Sequence, residues 1–286
     1  MHKCLSYWSL RDGLANTHPI ADALAQVRDA GFAGLELGIA PQGILTTDSS
    51  EADCHAIRRQ IDDASMRVET LASAMTWGAN PLSDDPAVRR HAIDLHARAL
   101  ERGAWLGCQA MLYIPGVVTS PIAPDERVRY DHAVERCREA IARLLEVAER
   151  VGVDLCLENV WNGFLLTPPE WIELIDSFNS DRLGMYLDVG NLIGYHQHPP
   201  HWIELLGPRI KRVHIKDFKD NFDWTGSYSF ARLGEGDAPW PETVAALQAI
   251  GYDRTIVAEM LPPTEGLIEH TSAAMDEIFG QTLAQV

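Results

Sequence analysis

Apolar residues recur along this chain in two alternating rhythms. Short runs rich in aliphatic and aromatic side chains, bounded by Gly, Pro, Asn or Asp, read as strands. They fall at 4–10 (CLSYWSL), 34–39 (GLELGI), 68–75 (VETLASAM), 110–116 (AMLYIPG), 154–160 (DLCLENV), 183–189 (LGMYLDV), 210–216 (IKRVHIK) and 254–260 (RTIVAEM). The segments between them carry helical spacing. Residues 20–30 put Ile20, Leu24 and Val27 on one face and stop at Gly31. Residues 86–106 and 126–151 predict longer helices; the second aligns Val134, Cys137, Ile141, Leu144, Leu145 and Val147 opposite its charges and closes at Gly152. In TPPEWIELIDSF, Thr167 is a natural N-cap and Pro168 a natural first helical residue; DAPWPETVAALQAIG repeats that grammar from Asp237.

Strand followed by helix, eight times over 286 residues, predicts an α/β fold: a single (β/α)8 TIM barrel, one domain covering 1–286. An open doubly wound sheet fits less well. Its first strand–helix turn is ordinarily Gly-rich, and SLRDGLANTHP does not read G-x-G-x-x-G.

Composition narrows the partners. Apolar residues make up 46% of the chain, enough for a large core, and the net charge is 24 − 41 = −17. With no block of Lys or Arg, such a chain is repelled by nucleic acid and by anionic membranes. Its cysteines, at 4, 54, 108, 137 and 156, are odd in number, widely spaced and free of C-x-x-C, which suits reduced thiols. No leader-like segment and no apolar run near membrane length stands out, so a cytoplasmic location is expected.

The candidate chemistry lies at the ends of the last four strands. They finish Leu157-Glu158, Leu187-Asp188, Val213-His214 and Ala258-Glu259. Side chains alternate along a strand, so each pair sends one group toward the helices and one toward the barrel axis. Active sites in this fold sit at that rim. Each residue alone has a plainer account: Glu158 as a cap or an arginine partner, His214 as a satisfied core histidine, Asp188 as a turn residue. Four together are another matter, because three convergent carboxylates repel one another without a cation. A divalent metal is therefore expected on Glu158, Asp188, His214 and Glu259. Three oxygen donors and an imidazole suit Mn²⁺ first, then Mg²⁺ or Co²⁺, with Zn²⁺ also accommodated.

The pieces LENVWN, YLDVGN, RVHIKD, LGEGD and VAEM, in that order, resemble the xylose-isomerase-like TIM-barrel superfamily of sugar and sugar-phosphate isomerases and epimerases, ketose 3-epimerases included. The resemblance implies a metal-dependent isomerase or epimerase of sugars or sugar phosphates, acting by proton transfer through a metal-stabilised enediolate. It assigns Glu158, Asp188, His214 and Glu259 as ligands, with Glu158 and Glu259 as the acid/base pair. Strands five and eight lie about 135° apart around an ideal ring, so the two glutamates can serve opposite faces of a planar intermediate. The same intermediate serves epimerisation, aldose–ketose isomerisation, or dehydration of a keto-polyol in the manner of an inosose dehydratase.

Around this centre, Lys216, Asn191, His196, Trp8, Glu36, Trp77, Trp161 and Arg232 are expected to bind substrate. Lys216 follows His214 by two residues and can point inward; otherwise it pairs with Asp217 or Asp220. Trp8, Trp77 and Trp161 either cover the apolar faces of a sugar or pack the rim. Asn191 stands where several ketose epimerases carry a substrate-binding histidine, so their particular substrates do not transfer. His196 and His198 either take that role or are ordinary loop residues. RLGEGDAPW lies where barrels often hold phosphate, but Glu235 and Asp237 oppose an anion and favour an unphosphorylated substrate. Barrels of this kind often pair, so a homo-oligomer is compatible with the sequence.

Two other classes compete. An apurinic-site endonuclease shares this barrel but needs extra histidines at strands three and four and after strand seven, where this chain reads ASAM, YIPG and DFKDNF. A non-catalytic metal-binding barrel would not need two opposed glutamates.

Overall fold

The computed structural model describes residues 1–221 and 227–284. Its strands are β1 His2–Ser6, β2 Gly34–Ile39, β3 Thr70–Ser73, β4 Ala110–Tyr113, β5 Asp154–Glu158, β6 Leu183–Asp188, β7 Ile210–Ile215, β8 Asp217–Asn221, β9 Ser227–Ala231 and β10 Thr255–Ala258. The helices are α1 Ile20–Asp29, α2 Glu51–Asp63, α3 Pro86–Leu106, α4 Tyr130–Val151, α5 Pro168–Asp176, α6 Val189–Gly194, α7 Pro199–Leu206, α8 Trp240–Ala249 and α9 Leu267–Phe279. β1–β7 and β10 close a parallel barrel in the order β1-β10-β7-β6-β5-β4-β3-β2, while β8 and β9 pair antiparallel as a separate hairpin. The chain is thus a closed eight-stranded TIM barrel, as the alternating pattern predicts.

Local chemistry explains the boundaries. β1 stops at Ser6 rather than running to residue 10: Ser6 Oγ accepts Trp8 N–H and turns Tyr7–Ser9 into a 3₁₀ turn. The run 68–75 likewise shortens to Thr70–Ser73 and continues as the 3₁₀ turn Met75–Trp77. α3 starts on an Asp85 cap, and α5 has a capping box between Thr167 and Glu170 with prolines in its first turn. Asp237 does not start α8, which begins at Trp240; its carboxylate accepts Asp220 N–H at 2.8 Å instead. The helices cover the barrel with aliphatic faces, such as Cys137, Ile141, Leu144 and Leu145 of α4, all buried.

The barrel floor is closed by polar packing. Arg212, buried within β7, donates from Nη2 to Gln109 Oε1 at 3.0 Å and from Nη1 to Lys211 O at 2.7 Å. All five cysteines are free and buried. Among the described residues no helix is long and apolar enough to cross a membrane.

Candidate metal centre and active site

β5, β6 and β7 bring Glu158, Asp188 and His214 to one end of the barrel, with Asp188 registered opposite His214 and Glu158 opposite Tyr186. Glu259 lies one residue past β10 and extends the ladder by donating its N–H to Ile215 O at 2.9 Å. The four side chains are buried, and each offers a ligand atom within 4.8 Å of the others. His214 Nδ1 lies 3.4 Å from Glu158 Oε1, 3.5 Å from Glu259 Oε2 and 3.8 Å from Asp188 Oδ2. His214 Nδ1 is buried without a hydrogen-bond partner among the described residues, and the buried Asp188 Oδ2 has the Lys216 ammonium as its ionic neighbour at 3.1 Å. Buried polar atoms are rarely left like Nδ1. Three carboxylate oxygens and an imidazole nitrogen turned toward one point fit a divalent cation, and Nδ1 is among the atoms it would engage.

The opposite edge of the imidazole is fixed from below. Glu36 Oε1 lies 2.8 Å from His214 Nε2, and Tyr186 Oη donates to Glu36 Oε2 at 2.5 Å. Glu36, Tyr186 and His214 are all fully buried. With Nε2–H given to Glu36, Nδ1 is the nitrogen left to face the carboxylates.

Lys216 enters the cluster rather than pairing with Asp217 or Asp220. Its ammonium bonds to Glu259 Oε2 and lies 3.1 Å from Asp188 Oδ2. It also lies 5.9 Å from the Phe230 ring centroid, within cation–π range. Gly190 leaves room for its stem: a Cβ there would fall 2.2 Å from Lys216 Cγ.

These neighbours separate the two glutamates. Burial drives the Glu158 carboxyl up to about 7, with Glu259 and Asp188 adding to the rise and His214 opposing it. Burial also works to raise Glu259, but Lys216 and His214 outweigh it and hold that carboxyl down to about 2. Burial raises Asp188 too, against the pull of Lys216. Burial alone would lower His214 and Lys216; the surrounding carboxylates outweigh it and hold both above their ordinary ranges. Two similar carboxyls thus acquire opposite protonation preferences, which acid/base chemistry requires.

The other expected binding residues are distributed unevenly. Asn191 stabilises the turn into α6: its N–H donates to Asp188 Oδ1 at 2.8 Å and its Nδ2 to Asn159 O at 2.9 Å. Trp161 Nε1 donates to Asn191 O at 3.0 Å, and its ring stacks on Phe230 with centroids 5.6 Å apart. Trp8 lines a rim cavity of about 300 Å³ with Gly38, Ala74 and Met75. Trp77 is half-buried against the core. His196 Nδ1 lies 2.6 Å from Asp220 Oδ2, and His198 stacks edge-on against His201. Arg232 is exposed, with Nη2 3.5 Å from Glu265 O.

Four further residues escape the sequence reading. Tyr186 supports Glu36, and its signal is period two, since it precedes Asp188 by two residues on the same face. Asn159 brackets Asp188, accepting Asp188 N–H at 2.8 Å and donating to Asp188 O at 2.9 Å. Phe218 and Phe230 of the hairpin pack edge-on, with centroids 5.6 Å apart, and both contact Trp161.

Comparison with known proteins places this geometry. Residues 24–278 match the family model described as xylose isomerase-like TIM barrel. The chain belongs to that family. Among curated relatives, a D-psicose 3-epimerase from Ruminiclostridium cellulolyticum is 27% identical over 63% of this chain and 59% of its own length. An inosose dehydratase from Lacticaseibacillus casei is 22% identical over 79% of this chain and 89% of its own. An uncharacterized protein of Methanocaldococcus jannaschii is 27% identical over 67% of this chain and 64% of its own. The alignments to the psicose epimerase and the archaeal protein span less than two thirds of those relatives. Among solved structures, D-psicose 3-epimerase with D-tagatose from Clostridium cellulolyticum H10 superposes with a TM-score of 0.81 at 18% identity, covering 99% of this chain and 100% of the other. An L-ribulose 3-epimerase gives 0.77 at 20% identity, covering 98% and 95%. These two likenesses are of fold; the relatives in sequence include sugar epimerases and inosose enzymes.

Proposed function

We propose that this chain is a divalent-metal-dependent carbohydrate epimerase or isomerase that moves a proton at the carbon beside a ketose carbonyl. The observation that carries the reading is the convergence of Glu158, Asp188, His214 and Glu259 at the barrel rim, their ligand atoms within 4.8 Å of one another. A cation held by these four would polarise the carbonyl, acidify the neighbouring C–H and offset the charge that develops on oxygen.

The chain's own groups supply the rest. Glu259, held ionised beside Lys216, accepts the proton from carbon and leaves a planar enediolate. Glu158 delivers a solvent-derived proton to the opposite face of the same carbon, giving the epimer. In the reverse direction the two exchange roles, and exchange with solvent resets both. Lys216 adds a fixed positive charge beside the enediolate, and Glu36 keeps the His214 ring from turning.

The test is solvent deuterium. With Mn²⁺ in D₂O, a panel of ketoses and inososes followed by NMR should gain label at the carbon beside the carbonyl. Glu259→Gln should lower that exchange by about 10²–10⁴-fold while still binding metal. Normal turnover by the variant would remove Glu259 from the role. A second reading, dehydration of a keto-polyol, is favoured by the inosose dehydratase alignment, which spans most of both chains. It predicts product lighter by one water alongside the label.

A further inference from the structure

β5 stops pairing with β6 before β6 reaches its metal-competent residue. The last backbone pair between the two strands is Glu158 with Tyr186, and Asp188 lies two residues further along β6. The Asp188 N–H and C=O turn toward the β5 side, where the main chain has already left the sheet. Buried backbone groups are nearly always paired.

The side chain of Asn159 supplies the partner. Its Oδ1 accepts Asp188 N–H at 2.8 Å, and its Nδ2 donates to Asp188 O at 2.9 Å. A primary carboxamide offers an acceptor and a donor in one plane, as the peptide group of a neighbouring strand does. Asp188 and Asn159 are 0% and 4% exposed, so bulk water does not compete for either bond.

The clamp is braced in turn. Asn191 Nδ2 donates to Asn159 O at 2.9 Å, and Trp161 Nε1 donates to Asn191 O at 3.0 Å. Asn191 N–H donates to Asp188 Oδ1 at 2.8 Å, which leaves Oδ2 as the oxygen 3.8 Å from His214 Nδ1. Asn162, three residues further on, shows what bracing of the loop alone looks like. It is fully buried, its Oδ1 accepts Phe164 N–H at 3.2 Å and its Nδ2 donates to Gly116 O at 2.8 Å. None of these groups belongs to the four-residue centre.

We propose that Asn159 is a positioning residue for the centre: its carboxamide replaces the missing β5 partner of Asp188 and fixes the Asp188 carboxylate relative to Glu158. Asn159 directly follows Glu158 in the chain, so the clamp ties two of the four cation-binding side chains to each other. The inference deepens the functional reading above and rests on it for the cation.

Calorimetric titration of the full chain with Mn²⁺, well below the melting temperature of each variant, separates positioning from bracing. Asn159→Ala should remain folded by circular dichroism and lose Mn²⁺ affinity by about 10–100-fold. Asn162→Ala should melt lower yet bind Mn²⁺ as tightly as the wild type. Co²⁺ gives a spectroscopic signature, because its visible absorption follows the geometry of its ligands. The Co²⁺ spectrum should change in Asn159→Ala and coincide with that of the wild type in Asn162→Ala. Wild-type Mn²⁺ affinity in Asn159→Ala would overturn the proposal, as would equal losses in the two variants. If Asn159→Ala does not fold, Asn159→Ser, too short to span both bonds, is judged by the same criteria. A wild type that binds no divalent cation removes the functional reading and this inference together; equal, tight binding by the wild type and Asn159→Ala removes this inference alone.

Discussion

Glu36 and His214 meet inside the barrel, Oε1 to Nε2 at 2.8 Å, with no solvent reaching either side chain. The contact joins β2 to β7 across the barrel and leaves Nδ1 as the nitrogen available at the rim. A carboxylate behind a ligating imidazole raises its basicity and fixes its orientation. Glu36→Gln keeps the shape and removes the charge. Metal affinity should fall by about 10–100-fold, read by calorimetric titration with Mn²⁺. Tyr186→Phe deletes only the hydroxyl that Glu36 Oε2 accepts, so its loss should be smaller. Equal losses in the two variants would mean that the charge on Glu36 is not what matters.

Lys216 supplies positive charge to a nest of carboxylates in the chain without metal. Removing one partner of a buried ion pair costs about 3–5 kcal/mol. Lys216→Met should therefore melt lower in EDTA. Its ammonium bonds to Glu259 and lies beside Asp188, so it also competes with any cation drawn to them. The same variant should bind Mn²⁺ more tightly than the wild type, with the gap in melting temperature narrowing as Mn²⁺ is added. Weaker binding would identify the lysine as an organiser of the ligands rather than a competing charge.

Cation binding should be linked to protons. Without metal, the site favours a proton on His214, held above its usual range, and on Glu158, raised to about 7. A cation that takes Nδ1 and the Glu158 carboxylate must displace those protons. Mn²⁺ affinity should consequently rise from pH 6 to pH 8, by up to about tenfold per pH unit for each proton released. Titrations in buffers of different ionisation enthalpy count the protons directly, and a count of zero would be incompatible with this picture.

His96 gives a pH dependence unrelated to the site. It lies on the buried face of α3, its Nδ1 2.8 Å from Ala92 O and its ring 4.7 Å from that of Tyr113. Burial lowers its pKa from 6.5 to about 4, with the Ala92 contact opposing. The folded chain therefore binds this proton less readily than the unfolded chain. The contribution is complete above pH 6.5 and is lost as pH falls toward 4, with a slope of at most about 1.4 kcal/mol per pH unit. His96→Gln should melt less steeply with acid over that window. Identical slopes in urea denaturation at pH 7 and pH 5 would show that His96 is not the group responsible.

The barrel and its four convergent side chains are legible in the sequence because both rest on periodicity. A parallel strand buried on both faces is a short apolar run, and a metal-competent residue at its end stands out. Strand ends are less legible: Ser6 stops β1 with a side-chain hydrogen bond that no hydrophobic pattern encodes. α2 is missed because its apolar face is narrow, Cys54, Ile57 and Ile61 among charges, although the Ser50–Asp53 capping box marks its start. α6 and α7 are too short to show a period. Around the site, the inward position of Lys216 is legible by counting two residues from His214. Asn191 and Asn159 have roles that depend on loop geometry, which spacing does not carry.

The β8–β9 hairpin leaves and returns at a single point between β7 and α8, outside the barrel's hydrogen-bonded ring. Paired residues can therefore be added to or removed from its two arms without shifting the register of any barrel strand. Removing the Phe218–Phe230 pair, one step from the base of the hairpin, should take both rings from Trp161 while the four-residue centre stays assembled. The molecule thus has a modular part that can be lengthened or trimmed separately from the four-residue centre beneath.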